Sequence, residues 1–164
     1  MMDLGFTGTQ QGPMSREQSY TVIELIAGFR RGRKLRFHHG CCIGWDDQAA
    51  RFARLLGYRL IGHPPMNTEK MCSVVNDENF PPDGYISRDH HIVQVSRILI
   101  AAVKRNHEEL RSGTWATVRY AAKIGRPGLV VWPNGDLTPL ERAVSSPISL
   151  KYAERARTIA RKTE

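Results

Sequence analysis

Short apolar runs alternate along this chain with longer stretches whose apolar residues return at helical spacing. Asp3 to Gly8 predicts a first strand ending in a glycine turn, and Ser15 to Gln18 supplies a capping box, a hydroxyl with an amide three residues on. The helix it opens places Val22, Ile23, Ile26 and Phe29 on one face, weakened only near its end by Gly28 and Gly32. The pattern then repeats. Lys34 to His39 predicts a strand, Gly40 to Gly44 a turn, and Trp45 to Leu56 a helix with Ala49, Phe52, Ala53 and Leu56 on one face, ended by Gly57. Tyr58 to Gly62 predicts a third strand, which Pro64 and Pro65 stop because neither can donate to a ladder. The segment from there to Gly84 has no clear period, and irregular stretches of that length usually serve as lids or binding loops. Helix resumes from Ile86 to Ser96. Arg97 to Val103 is almost continuously apolar, as a strand buried on both faces should be. A polar connection from Lys104 to Arg111 leads to a helix from Ser112 to Ile124, ended by Gly125, and Pro127 to Trp132 predicts the last strand.

Alternating strands and helices require crossover connections, so the expected fold is α/β: a Rossmann-like, doubly wound, mostly parallel five-stranded sheet with helices on both faces. Residues 1–133 would form that domain, 134–148 a linker containing Pro139 and Pro147, and 149–164 a basic C-terminal helix.

Composition narrows the setting. A 164-residue chain can bury one core without disulfides, and three cysteines, two of them adjacent, cannot build a disulfide framework. No apolar run spans a bilayer, and Met1 to Thr9 has no secretory pattern, so a cytoplasmic protein without membrane contact is expected. The 24 basic against 16 acidic residues give a net charge of +8, which favours polyanionic partners. Basic residues gather at Arg30, Arg31, Arg33, Lys34 and Arg36 and at Lys151, Arg155, Arg157, Arg161 and Lys162. A single aromatic, Tyr152, is interleaved in them, short of a base-stacking series, which favours solvated helix ends over a nucleic-acid patch.

In such sheets ligands bind beyond the carboxyl ends of the strands, where four candidate segments fall. Gly8, Thr9 and Gln10 combine small size with a hydroxyl and an amide. His39 to Asp46 has glycines at 40 and 44 around a turn that leads into a helix. There Asp46 can hold ribose hydroxyls or act as a base, with Asp47 as a second acid, and Trp45 can stack on a base. Arg111, Ser112, Gly113 and Thr114 follow the central strand and open a helix, an arrangement suited to phosphate oxygens. Tyr85 and Arg88 add an aromatic surface and a second cation. Adjacent histidine pairs at 38–39 and 90–91 diverge on either a strand or a helix, so no metal site is expected, and no cofactor is expected either. Neither a serine-hydrolase elbow nor a P-loop is present in the sequence.

Taken in order, GFTGTQQGPMS, HHGCCIGWDDQAARFA, the Pro64-Pro65 pair and RSGTWATVRYAAKIGRP resemble the SLOG superfamily over about residues 3–133. That Rossmann-like group includes DNA-processing protein A and the Lonely Guy phosphoribohydrolases. The resemblance implies a nucleotide-like, phosphoribosyl-containing ligand, held by a sensor or sequestering module of the kind found in conflicts between bacteria and phages, and a homo-oligomer. Two alternatives stay open: a nucleotide N-glycosidase and a single-stranded DNA binder. The hydrolases' P-G-G-x-G-T-x-x-E motif, aligned on Gly113 and Thr114, puts Thr117 where their glutamate stands, with Arg111 and Ser112 replacing the glycine pair. A hydrolase would then need Asp46, or Asp47, as its acid.

Overall fold

The computed structural model describes residues 1–30 and 34–144. Strand β1 (Met2–Thr7) is followed by α1 (Arg16–Gly28), β2 (Leu35–His39), α2 (Trp45–Leu55), β3 (Arg59–Gly62), β4 (Glu78–Asn79), α3 (Tyr85–Val95), β5 (Ile98–Ala102), α4 (Gly113–Lys123), β6 (Gly128–Val131), β7 (Leu137–Pro139) and α5 (Leu140–Ala143). These strands form one sheet in the order β4-β3-β2-β1-β5-β6-β7, parallel except where β7 pairs with β6. The Rossmann-like α/β architecture is therefore present, but the expected five-stranded sheet has seven strands.

Both additional strands lie at sheet edges, where the hydrophobic pattern is weakest. Strand β4 has two exposed residues, and it is fixed by pairing with Ile61 and Gly62 and by the Asp77 carboxylate accepting the Leu60 N–H at 2.7 Å. Strand β7 returns antiparallel through the Pro133–Asp136 turn, in which Gly135 has φ +86 and Asn134 hydrogen-bonds Asp136. An Asn-Gly pair between apolar residues is a hairpin signal, and Pro139 suits an edge strand. The first part of the segment expected as a linker thus joins the sheet and α5, where Leu140 is fully buried. The remainder, the final helix and Arg31 to Arg33 lie outside the described residues.

Alternation along each strand divides the interior into two cores. Leu4, Phe6, Phe37, Ile100 and Val131 pack under α1 and α2, whereas Leu99, Ala101, Val103 and Val130 pack under α3, α4 and α5. Ser15 caps α1 with the expected box, and Gln18 extends inward to donate to the carbonyls of Val103 and Val131 at 2.8 and 3.1 Å. Because β1 leads to one face and β5 to the other, the chain parts between their carboxyl ends. The ligand crevice of such sheets opens at that switch point.

Candidate functional site

A pocket of about 570 Å³ occupies this switch point. One wall is the turn after β1 with Gly8, Thr9 and Gln10. The second is the β2–α2 turn with Gly40, Cys42 and Asp46, and the third is Arg111 to Thr114 at the start of α4. Tyr85 and Arg88 from α3 complete the set, with Lys70, Lys104 and Arg105 also lining it. The sequence candidates drawn from four distant segments therefore converge on one cavity.

At the third wall, Ser112 accepts the Trp115 N–H at 3.3 Å as the α4 N-cap. The amides of Gly113 and Thr114 have no intrahelical partner, as in every first helical turn, and the helix dipole places positive potential there. A Cβ on Gly113 would meet nothing within 4 Å, so this backbone is open to a ligand. The surrounding cations set the sign of the field. Lys104 donates to Gln11, Arg105 pairs with Glu109 at 3.4 Å, and Arg111 is exposed.

The opposite wall is polar but buried. Arg88 is 6% exposed and forms an ion pair with Asp89 at 2.9 Å; its Nη1 lies 3.5 Å from the Cys42 sulfur and its guanidinium 4.9 Å from the Tyr85 ring centroid. Asp89 also accepts a hydrogen bond from Thr117 Oγ1 at 3.3 Å. Asp46 accepts the Gly40 N–H at 3.0 Å, and burial pushes its carboxyl up to about 7 despite the nearby Arg88 charge. Burial raises Asp89 as well, against its ion pair, while the surrounding carboxylates hold Arg88 firmly protonated. The wall can therefore present a fixed cation next to a carboxyl able to donate or accept a proton near neutrality.

Three sequence candidates lie elsewhere. Trp45 is 3% exposed and packs in the α1–α2 core, so its ring is not offered to a base. Gly44 lies beneath the turn: at φ +89 it caps α2, and a Cβ there would approach the Thr9 and Gln10 backbone at 2.9 Å. Asp47, one residue past Asp46, turns outward to pair with Arg51 at 2.9 Å, as expected for a helix surface where neighbours diverge by about 100°. Conversely, Asp89, Lys104 and Lys70 line the pocket without having been singled out from sequence. Lys104 directly follows the central strand, so the strand-end rule reaches it, while Asp89 simply adjoins the candidate Arg88 on α3. Lys70 arrives on the irregular β3–α3 segment, whose length marks a binding loop but in which no pattern singles out this lysine.

The histidines fall on separate networks. His38 bridges Asp3 (3.1 Å) and His63 (3.0 Å) on one face of β2, and His39 meets Asn76 at 2.7 Å on the other. Among the described residues no group of three or more His, Cys, Asp or Glu side chains is arranged to hold a metal ion. No described helix is long and apolar enough to cross a membrane.

No protein-family model matches the sequence, and no curated protein is similar to it. Similar solved structures are found at low identity. The molybdenum cofactor binding protein from the phototrophic bacterium Rippkaea orientalis is 18% identical, with a TM-score of 0.61 over 94% of this chain and 83% of that one. The molybdenum cofactor carrier protein from Chlamydomonas reinhardtii is 21% identical, with a TM-score of 0.58 over 79% of this chain and 75% of that one. DNA processing protein A from Streptococcus pneumoniae is 18% identical, with a TM-score of 0.58 over 79% of this chain but only 50% of its own length. What these likenesses show is the fold: this chain has the Rossmann-like architecture of cofactor carriers and of the DNA-processing protein.

Proposed function

We propose that the pocket holds a phosphate-bearing small molecule, a nucleotide or a molybdopterin-type cofactor, as a binding or carrier module. The observation that carries this reading is the opposition, in one cavity, of the open α4 N-terminus and the buried Arg88–Asp46 wall. The first is suited to phosphate and the second to a polar heterocycle or sugar. The molybdenum cofactor proteins of like fold and the ordered SLOG-like motifs support the same reading. Mass spectrometry of small molecules released from purified protein tests it. A stoichiometric phosphorylated compound, lost in the Ser112→Ala/Gly113→Ala double variant, is the expected result. A ligand without phosphate, or one retained by the variant, would overturn it.

A second reading, single-stranded DNA binding, is favoured by the net charge of +8 and the cationic pocket rim, and DNA processing protein A is of like fold. Fluorescence anisotropy with a labelled oligonucleotide separates the two, since strand binding must persist at physiological ionic strength and weaken steeply with added salt. The N-glycosidase alternative makes a different demand: release of free base from nucleoside monophosphates, abolished in Asp46→Asn.

A further inference from the structure

Beneath the pocket wall, residues 41–43 run antiparallel to residues 70–72. Cys42 and Met71 form a bridge, the Ile43 N–H donates to the Lys70 carbonyl at 2.9 Å, and the Cys72 N–H donates to the Cys41 carbonyl at 2.9 Å. This register sets Cys41 directly opposite Cys72. Residues directly opposite in an antiparallel pair have Cα atoms roughly 4.5–5.5 Å apart, within the range that disulfides span.

The two thiols also influence each other. Hydrogen bonding between them draws Cys72 below the usual thiol range and, together with burial, drives Cys41 upward, and Asn76 donates to the Cys41 sulfur at 3.3 Å. Their exposure differs: Cys41 is fully buried and Cys72 is partly open to solvent. Cys41 has φ +56, a left-handed conformation rare outside glycine and held here by its surroundings. An accessible, thiolate-prone sulfur thus lies against a buried partner that can displace whatever group attaches to it.

We propose that Cys41 and Cys72 form a reversible redox pair, closing to an intramolecular disulfide that staples the β3–α3 segment to the turn before α2. The oxidant is a small-molecule disulfide such as glutathione disulfide. The Cys72 thiolate attacks one of its sulfurs and expels a glutathione thiolate. With Cys72 capped, the interaction that contributed most to raising Cys41 is gone, and burial still holds it up. Cys41 gives up its proton to the expelled thiolate, attacks the Cys72 sulfur and expels the second glutathione. In total, two protein thiols become one disulfide while one glutathione disulfide becomes two thiols. The pair adjoins the pocket without belonging to its lining: Gly40 and Cys42 flank Cys41, and Lys70 lies two residues before Cys72. Closure fixes the Lys70 stretch against the wall. The thiol pair can close whichever ligand the pocket holds.

The test is incubation of the full chain with excess glutathione disulfide, followed by alkylation and peptide mapping by mass spectrometry. The expected result is a fall from three alkylatable thiols to one, Cys42, with a single Cys41–Cys72 linkage that dithiothreitol reverses. A linkage through Cys42, a Cys72 cross-link between chains, a persistent glutathione adduct on Cys72, or three unreacted thiols would each overturn the proposal. The Cys42→Ser variant should form the same linkage, and Cys41→Ser should trap the adduct on Cys72. Should Cys41→Ser not fold, the map of the unmodified chain remains decisive.

Discussion

The β2–α2 turn and the loop before α4 both bring a helix N-terminus to the pocket, yet they are built in opposite ways. In the β2–α2 turn two backbone donors are already engaged: the Trp45 backbone N–H donates to the Thr9 carbonyl at 3.1 Å and the Gly40 N–H to Asp46. Its glycines answer to the protein itself. A Cβ on Gly40 would lie 2.9 Å from an Asp46 oxygen, and Gly44 requires a positive φ. In the α4 loop, Gly113 faces open space and adopts no left-handed conformation. The two strand-to-helix turns, one with glycines at 40 and 44 and the other with Gly113 alone, thus divide the work: the first is a rigid wall whose backbone donors are engaged and the second keeps free donors. A ligand phosphate belongs with the second.

The largest test of this division is Trp45→Ala. Trp45 is buried under the turn, and Gly8 has no room for a Cβ because the Trp45 side chain would lie 2.7 Å away. Its removal should destabilise the fold by about 3–5 kcal/mol, read by urea denaturation. If stability falls by less than about 1 kcal/mol while ligand is lost, the residue is a contact and the wall is not the rigid element described above.

Asp46 tests the same wall through pH. Its folded carboxyl titrates at about 7 against an ordinary 3.8, so the contribution of its neutral form is present below pH 3.8 and lost as pH rises to 7. The ceiling is about 4 kcal/mol, and relaxation around the charge lowers it. His39 runs the other way. Burial lowers it from 6.5 to about 4, so its contribution is present above 6.5 and lost as pH falls through 4. Asp46→Asn isolates the first effect. Thermal melts should show the variant more stable than the parent by about 1–3 kcal/mol at pH 8, the gap closing near pH 4. A penalty equal at all pH values would mean an ionised Asp46 paired with Arg88, and a wall that carries charge to the ligand.

Sequence made the central strands legible because an apolar run such as Ile98 to Ala102 has no other place than a two-sided core. It concealed β4 and β7, whose residues are exposed or partly exposed and owe their extended form to the neighbouring strand. For the site, the strand-end rule located the turns but could not assign directions within them. Asp46 and Asp47 differ by one position and face different environments, and Trp45 is apolar enough for either a ligand or a core. The contact that settles each, with Gly40, Arg51 or the α1–α2 core, is made by tertiary packing.

A smaller effect is expected at the α4 loop itself. Ser112→Ala removes the N-cap and should cost about 1 kcal/mol of stability. It should also weaken a phosphorylated ligand about tenfold, since a hydrogen bond to a charged group contributes roughly 1.5 kcal/mol or more. Equal losses for phosphorylated and dephosphorylated ligands, measured by calorimetry, would place the phosphate elsewhere.

Gly113→Ala should change stability least and is therefore the cleanest probe of the contrast between the two turns. The position opens α4, and a Cβ there meets no protein atom within 4 Å. Alanine restricts the unfolded chain more than glycine does, so the fold should gain about 0.5 kcal/mol. A phosphate drawn against the Gly113 and Thr114 amides would meet the new methyl group, and affinity should fall about tenfold or more, a loss that stability cannot explain because stability moves the opposite way. In the β2–α2 turn the same exchange at Gly40 would push on Asp46 and Arg88 and lower stability and binding together. If Gly113→Ala leaves affinity unchanged, the ligand does not approach the α4 N-terminus, and the buried wall must supply its recognition.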